Sequence, residues 1–411
     1  MEKFLNFIQE KIANPLAKMA EQRHLKAIRN GFMLIIPFII AGSIFLIITN
    51  FPNSAWAAFI KPYSAKLSVP VNVTFGLLAV IASLGIGYNL AKEYELDPII
   101  GTVLSLIAFL TTQVTKEYAL DTSNFGSTGI FTAIVTAIIS IEILRFFIKK
   151  NFVIKMPEGV PPAISSVFVS LIPSAAVITL FWLIRVVIGF DITSFLTMVF
   201  SPLVFALNTL PGIMVYVFFM TLLWTVGIHG WSVMGAIGMP IFLQYLSVNT
   251  AAFANHQAIP YITGYGFIEM FVNVGGTCAT FGLVLNMIKS KSSVFKSLGK
   301  LSFMPAVFEI NEPVVFGFPV VLNPLMMIPA LVTPLFLTVS TYLLMYFNII
   351  SRPVVALTWS VPPIIGPYLV TGGDWRAAVW SAVTIVIELI IYLPFFKAAE
   401  KQQVILETVN K

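Results

Sequence analysis

Long runs of apolar residues limit what this chain can fold into. A helix needs about 20 mainly apolar residues to cross a bilayer, and runs of that length recur along the whole chain. Of the 411 residues, 58% are hydrophobic and only 10% are charged, which is unlike a soluble domain. The sequence therefore predicts an all-α polytopic membrane protein with about ten transmembrane helices. The predicted crossings are residues 31–49, 74–90, 98–112, 128–148, 167–190, 212–226, one within 227–260, 264–288, 325–347 and 378–395.

Basic residues lie beside the apolar runs and do not form one patch. The segments 145–155 and 289–300 are rich in lysine and arginine, and 289–300 has no acidic residue. The positive-inside rule places both segments on the cytoplasmic side. The formal net charge of +6 therefore orients the protein in a lipid bilayer, and no nucleic-acid partner is expected.

One apolar stretch, 305–324, is broken by four prolines and also contains Glu309, Asn311 and Glu312. Prolines interrupt helices, and broken backbone at membrane depth is tolerated only where protein or a water-filled cavity covers it. A second stretch, 355–373, mixes aromatic residues with proline and glycine. We predict that both are re-entrant segments, each of which enters and leaves the membrane by the same face.

The same patterns predict the domain organisation of the chain. Residues 191–211 are apolar but interrupted by asparagine, aspartate and proline, which favours a tilted or in-plane connecting helix between two halves. The predicted segments are an amphipathic N-terminal segment (1–30), a first transmembrane half (31–190), the connecting helix (191–211), a second transmembrane half (212–396) and a polar tail (397–411).

Glu312 is the first candidate for a functional residue, because a carboxylate at membrane depth is costly. It could accept a hydrogen bond from a sugar hydroxyl or act as a base on one, and Asn311 beside it offers donors and an acceptor. The competing interpretation is that Glu312 binds free backbone N–H groups of the broken helix. Glu309 could share the same cavity or face elsewhere.

His229 is the second candidate, since it lies between two glycines in the sequence GIHGW. Trp231 could offer a flat face to a sugar ring, and Trp359 in the second interrupted stretch could do the same. His256 lies in a polar tract and is a weaker candidate. The alternatives are a core histidine bonded to a carbonyl and packing aromatics. No histidine spacing typical of a metal site occurs, so we expect no metal.

Several other polar residues within apolar runs have structural interpretations. Cys278 lies among small residues and is expected to pack against a neighbouring helix. Glu142 and Arg145 are three apart on one helical face and are expected to form an ion pair. Glu269 and Glu388 could line a path or pair with another helix. No nucleotide-binding motif is present, and no cofactor is expected.

Three functional classes fit a bundle whose cavity is lined by glutamate, histidine and asparagine. The first is an ion-coupled secondary transporter, the second a membrane enzyme acting on lipid-linked substrates, and the third a sugar permease that presents its substrate to a soluble phosphoryl donor. The sequence has no dense arginine cluster that would neutralise an anion, which favours a neutral polyol as the substrate.

A family resemblance favours the third class. The segments FEINEPVVFGFPVVLNP, GIHGW and NPLAKMAEQRHLKAIRNGF closely resemble the membrane IIC component of bacterial phosphoenolpyruvate-dependent sugar phosphotransferase systems of the lactose, cellobiose and diacetylchitobiose type. The similarity covers almost the whole chain. It implies a homodimer in the bacterial plasma membrane, in which the first half dimerises and the second half holds a disaccharide.

The resemblance also implies the site residues and the partner. The family's essential histidine corresponds to His229 and its essential glutamate to Glu312, with Asn311 beside it, near the sugar 6-hydroxyl. Phosphoryl transfer would come from a cysteine of a IIB protein, and Cys278 is not that cysteine. The IIB and IIA proteins are expected to be separate polypeptides. The segments 149–163 and 289–300 are the candidate docking surfaces for IIB.

Overall fold

The computed structural model describes residues 10–11, 14–51, 53–157, 159–318 and 320–409, and this part of the chain is almost entirely helical. The α-helices are α1 (Asn14–Ala20), α2 (Arg23–Met33), α3 (Ile36–Thr49), α4 (Ser54–Ile60), α5 (Ser64–Phe75), α6 (Leu78–Glu93), α7 (Pro98–Thr112), α8 (Ile130–Lys149), α9 (Pro162–Trp182), α10 (Ile192–Leu207), α11 (Leu210–Thr225), α12 (Gly230–Ala254), α13 (Phe281–Ile288), α14 (Ser293–Val307), α15 (Glu312–Gly317), α16 (Pro324–Tyr346), α17 (Ile365–Val370) and α18 (Trp375–Val409). Two π-helical turns, Leu183–Val187 and Ile268–Val272, lie between them.

The predicted all-α membrane fold is confirmed. Among the described residues, seven helices are long and apolar enough to cross a membrane, or eight if the pair α10 and α11, bent by 80°, forms one crossing. The predicted number of ten is approximate, because α7 has only 15 residues and the second half contains broken segments. Parts of the predicted N-terminal segment, residues 1–9 and 12–13, and one of the four prolines, Pro319, lie outside the described residues.

In the first half of the chain, α6 packs against α2, α7 and α8. The helices α2 and α6 approach closely at a pair of glycines, where a Cβ built on Gly85 would lie 2.7 Å from the carbonyl oxygen of Gly31. The predicted ion pair between Glu142 and Arg145 is present on α8 at 3.2 Å. Asp97 caps the start of α7, and this helix has the predicted bounds. Whether the halves act as a dimerising and a sugar-binding domain stays a prediction.

The two ends of the bundle differ in charge, which sets its orientation. Lys149 and Lys150 at the end of α8 and Lys289 at the end of α13 are exposed at one end, here called the basic end. Asn50, which follows α3, and Asn255, which follows α12, lie at the opposite end and line one cavity there. The positive-inside rule assigns the basic end to the cytoplasm.

The crossing predicted within 227–260 is present as the 25-residue helix α12, which accommodates Pro240. Two other predicted segments differ from the structure. The predicted continuous crossing 264–288 is wrong, since Gly275 and Gly276 adopt φ of +75° and +95° and separate a π-helical turn from α13. Part of the predicted loop 289–300 belongs to α14, whose first turn is capped by the Ser292 side chain.

Two segments with mostly non-helical backbone interrupt the helices of the second half, as expected for re-entrant segments. The first, residues 308–323, follows α14 and contains the short helix α15. The second, residues 347–374, contains α17 and is closed at its ends, because the Ser351 N–H donates to Asp374 Oδ2 over 2.8 Å. That bond places the two ends of the second segment side by side, as entry and exit by one face requires.

The last helix, α18, has 35 residues, so it is about 53 Å long and exceeds a hydrocarbon core of about 30 Å. The predicted polar tail is therefore a continuation of this helix up to Val409. Near its end, Glu407 accepts hydrogen bonds from the Ser293 backbone N–H and hydroxyl, both 3.0 Å, at the start of α14. Glu400 accepts a bond of 2.7 Å from the Ser290 hydroxyl.

Candidate functional site

Two breaks in the helices meet in the second half of the chain. One is the turn between α11 and α12, and the other is the segment that follows α15. The Leu322 N–H donates to the Thr225 carbonyl over 2.9 Å, which joins the two breaks. A Cβ built on Gly227 would lie 3.4 Å from the Val321 side chain, so the backbones approach closely. This contact brings the GIHGW sequence next to the glutamate-bearing hairpin.

His229 lies at the start of α12 with an exposed ring. Its Nδ1 accepts a hydrogen bond from the Ser232 backbone N–H over 3.2 Å and lies 3.0 Å from the Ser232 hydroxyl. Because a nitrogen that accepts from a backbone amide carries no proton, the neutral ring has its proton on Nε2. His229 therefore presents an N–H donor to the space in front of it.

Glu312 is the first residue of α15, and its side chain is exposed. Its carboxylate is close enough to the His229 ring for the two groups to interact electrostatically. Within the described part of the chain the carboxylate accepts no hydrogen bond. These contacts therefore contradict the competing interpretation, in which Glu312 binds free backbone donors of the broken helix. The Glu312 carboxylate and the N–H donor of His229 are thus both exposed and close enough to interact.

Glu309 performs the task that was considered for Glu312. Its side chain is buried, and Oε2 accepts hydrogen bonds from the backbone N–H groups of Gly275 and Gly276, the latter at 3.0 Å. These glycines belong to residues 273–280, here called the Gly275 loop. Glu309 thus fixes the Gly275 loop, and its carboxylate is buried where that of Glu312 is exposed.

Asn311 is also buried, and its side chain binds the same loop. Its Nδ2 donates to the Thr277 carbonyl and, over 3.3 Å, to the Thr280 hydroxyl. A Cβ on Gly276 would lie 2.5 Å from the Asn311 side chain, so only glycine fits beside it. The predicted contact between Asn311 and sugar stays a prediction, while the observed contacts give Asn311 a part in holding the hairpin.

Two residues of α18 bind the Gly275 loop and α13 from the other side. The Tyr392 hydroxyl donates to the Cys278 carbonyl over 2.7 Å, and Glu388 Oε2 accepts from the Gly282 N–H over 3.0 Å. Both side chains are fully buried, as is Cys278. The buried Glu269 likewise accepts from a backbone N–H, that of Gly266, at 2.8 Å. The buried carboxylates of Glu269, Glu309 and Glu388 all bind backbone N–H groups. The Glu312 carboxylate differs from them because it is exposed.

The two predicted tryptophans differ in their surroundings. Trp231 is half-buried one residue into α12 and packs against the main apolar cluster. Trp359 lies in the second re-entrant segment and is 53% exposed. Its segment is anchored to the first half by the Ala356 N–H, which donates to the Ser43 hydroxyl over 2.9 Å. The roles of both tryptophans in sugar binding stay predictions.

His256 is not brought to this site. It follows α12 at the end opposite to His229, and a helix of 25 residues separates the two by about 37 Å. Its side chain is exposed and lines a separate cavity together with Asn255. If His256 contacts sugar, it must do so at a different place from Glu312.

Three residues around His229 were missed by sequence reasoning. Trp224 packs edge-on against the His229 ring with centroids 4.6 Å apart, and Ser232 binds Nδ1. Arg29 of α2 donates to the Ser232 carbonyl over 2.8 Å and so ties the first half to this turn. The position of Ser232, three residues after His229 at a helix start, was the one usable signal. Among the described residues, no cluster of three or more ligating side chains could hold a metal ion.

The fold and sequence were compared with known proteins. A family model described as phosphotransferase system, EIIC matches residues 29–334. The lichenan permease IIC component of Bacillus subtilis (strain 168) is 37% identical, with 98% of this chain and 95% of that protein covered. The cellobiose-specific EIIC component of Geobacillus stearothermophilus is 36% identical, with 98% and 96% covered. The crystal structure of the transporter ChbC, the IIC component from the N,N'-diacetylchitobiose-specific phosphotransferase system, matches with a TM-score of 0.93 at 37% identity over 98% of this chain and 99% of that one. The protein is a multi-pass membrane protein that belongs to the phosphotransferase system EIIC family.

Proposed function

We propose that this protein is a permease that binds and translocates a β-linked disaccharide of the cellobiose, diacetylchitobiose or lactose class and presents its 6-hydroxyl for phosphorylation. The relatives named for lichenan, cellobiose and diacetylchitobiose support this sugar class. The observation that carries the site assignment is the exposed Glu312 carboxylate, free of internal hydrogen bonds within the described chain, beside the exposed His229 ring.

The two residues have the properties that phosphoryl transfer to a hydroxyl requires. In the proposed step the sugar 6-oxygen attacks the phosphorus of a phosphocysteine on a IIB protein. The new P–O bond forms while the P–S bond breaks, and the thiolate remains on IIB. The hydroxyl proton passes to Glu312, and the Nε2–H of His229 stabilises the negative charge that develops. Trp224 and Ser232 hold the imidazole in the orientation that presents Nε2.

The decisive experiment is the substitution Glu312→Gln. Its amide is nearly isosteric but cannot take the hydroxyl proton, so IIB-dependent phosphorylation is expected to fall by at least about a hundredfold and sugar binding to weaken. Initial rates with purified phosphorylated IIB and a radiolabelled disaccharide measure this. The matched control is Glu117→Gln, which alters an exposed glutamate in a loop at the opposite end. Normal phosphorylation by Glu312→Gln would overturn the site assignment.

An uptake assay distinguishes the proposed permease from the alternative, an ion-coupled symporter. Uptake into proteoliposomes under a proton gradient, without IIB, would favour that alternative. The proposed permease should instead accumulate phosphorylated sugar only when phosphorylated IIB is supplied. A panel of cellobiose, diacetylchitobiose and lactose then identifies the preferred disaccharide.

The proposal includes an assembly of two copies through the first half and a docking surface for IIB at the basic end. The exposed residues Lys149, Lys150, Lys289 and Lys291 support this surface, because they add positive charge within the segments 149–163 and 289–300. We expect Lys289→Glu with Lys291→Glu to raise the KM for IIB roughly tenfold and to leave sugar binding unchanged. An unchanged KM would remove this surface from the proposal.

A further inference from the structure

A second cavity, distant from Glu312, lies between the two halves of the chain. Its volume is about 750 Å³, within the range of sites that hold small ligands. The first half contributes α3, α5 and the loop 122–128 to its wall, and the second half contributes the last two turns of α12 and the residues that follow. The cavity lies at the end opposite to the basic end, which the positive-inside rule assigns to the outside of the cell.

The lining of this cavity is polar but almost uncharged. Hydroxyl and amide side chains make up most of it, among them Asn50, Ser68, Asn72 and Asn255. His256 is the single titratable residue among its described lining residues, and no carboxylate, lysine or arginine is among them. Such a surface offers donors and acceptors to a neutral hydroxyl-rich ligand and has nothing to neutralise an anion or a cation.

Two hydrogen bonds join the second re-entrant segment to the helices that line the cavity. The Thr250 hydroxyl donates to the Val354 carbonyl over 2.7 Å, and the Ala356 N–H donates to the Ser43 hydroxyl over 2.9 Å. Ser43 and Thr250 belong to α3 and α12, the same helices that line the cavity. The segment that carries Trp359 is therefore fixed to both of these helices beside the cavity, which is here called the outer chamber.

We propose that this outer chamber is a vestibule that binds the neutral disaccharide from outside before the sugar reaches Glu312 and His229. The inference rests on the proposed function for the identity of the sugar. It gives His256 and Asn255 a binding role about 37 Å from the phosphorylation site, the length of α12.

The test uses a single cysteine on the chamber wall. Asn72→Cys places an exposed thiol in the lining of the vestibule, and Lys66→Cys places one on the same helix outside that lining. Intact cells are treated with a bulky membrane-impermeant thiol reagent, and uptake of labelled sugar is measured. The native Cys278 is buried, so the unsubstituted protein reports on any other effect of the reagent. The treated protein is then solubilised, and its IIB-dependent phosphorylation is measured.

The vestibule proposal predicts that the reagent lowers uptake by Asn72→Cys at least about tenfold and that excess disaccharide protects the thiol. Phosphorylation by the solubilised protein, in which sugar reaches Glu312 from the basic end, should change less than about twofold. Unchanged uptake, or protection absent at saturating sugar, would overturn the vestibule. Loss of phosphorylation already before treatment, or in all variants, would instead count against the proposed function.

A milder substitution measures the binding itself. His256→Ala removes one hydrogen-bonding group, so the KM for uptake is expected to rise roughly threefold to tenfold. Gln257→Ala, an exposed neighbour outside the lining, is the control. An unchanged KM for uptake in His256→Ala would remove this residue from the vestibule and contradict its assigned role.

Discussion

The two re-entrant segments, 308–323 and 347–374, are held in place in different ways. In the first, charged and amide side chains of the segment itself, Glu309 and Asn311, bind the backbone of the Gly275 loop. In the second, neutral side chains of α12 bind the backbone of the segment, as Asn249 does when its Nδ2 donates to the Pro353 carbonyl over 2.9 Å. The first segment thus uses one carboxylate for support and leaves Glu312 exposed, whereas the second has its single acidic residue, Asp374, at its end.

This difference predicts the largest effect for the supporting carboxylate of the first segment. Glu309→Ala leaves two buried N–H groups of the Gly275 loop without an acceptor, and each costs about 1–3 kcal/mol. The midpoint of thermal unfolding in detergent should fall clearly, and phosphorylation should fall with it because Glu312 is displaced. Glu309→Gln retains an acceptor oxygen and is expected to lose less.

The comparison partner for Glu309→Ala is Glu312→Ala, which removes a carboxylate three residues away. Glu312 is exposed, so its removal should leave the unfolding midpoint within a degree or so of the unsubstituted protein while phosphorylation is lost. If Glu309→Ala melted at the unsubstituted midpoint, or if Glu312→Ala melted far below it, the assignment of support to one residue and chemistry to the other would be wrong.

The second segment should show a smaller and purely structural effect. Asn249 is fully buried and also exchanges hydrogen bonds with Tyr261, so Asn249→Ala is expected to cost about 2 kcal/mol of stability. The phosphorylation rate at saturating sugar should remain near that of the unsubstituted protein, since no group at Glu312 or His229 changes. Gln257→Ala, exposed after the same helix, serves as the control. If Asn249→Ala lowered the phosphorylation rate without lowering the stability, the purely structural role of the second segment would be wrong.

The smallest expected effect on stability concerns Asp374, which joins the two ends of the second segment. Burial alone would raise the pKa of Asp374, but hydrogen bonds from Arg376 and Ser351 outweigh burial and lower it. A carboxylate with a depressed pKa in the folded protein stabilises it above its unfolded pKa of about 3.9, and this contribution is lost as the pH falls through the folded pKa. The unfolding midpoint of the native protein should therefore decline more steeply below about pH 4 than that of Asp374→Asn. Parallel pH profiles of the two proteins would contradict this role.

Composition and local signals were sufficient for the straight helices. Pro98, which follows Asp97, predicted the start of α7, because a proline in the first turn is favourable at a helix start. The Glu142 and Arg145 pair followed from helical spacing alone. The prolines and acids of 305–324 predicted the break that exposes Glu312, since no continuous membrane helix accommodates them.

The remaining features of the fold and the site depend on contacts between residues that are far apart in the sequence. The break at Gly275 was missed because an apolar glycine-containing run is compatible with a continuous helix, and only Glu309 and Asn311 reveal the alternative. The crossing predicted within 227–260 is α12, but its bounds, Gly230–Ala254, could not be read from a segment that contains several glycines and Pro240. His256 was grouped with His229 because sequence proximity does not show that a whole helix lies between them.

The length of α18 has a further structural consequence. About 20 Å of this helix extends past the hydrocarbon thickness, and its outer turns bind residues 290–291 through Glu400 and the start of α14 through Glu407. Residues farther along α14 lead directly into the hairpin of Glu312. The projecting turns of α18 and the start of α14 therefore form one connected unit at the basic end, and α14 leads from that unit to the hairpin of Glu312.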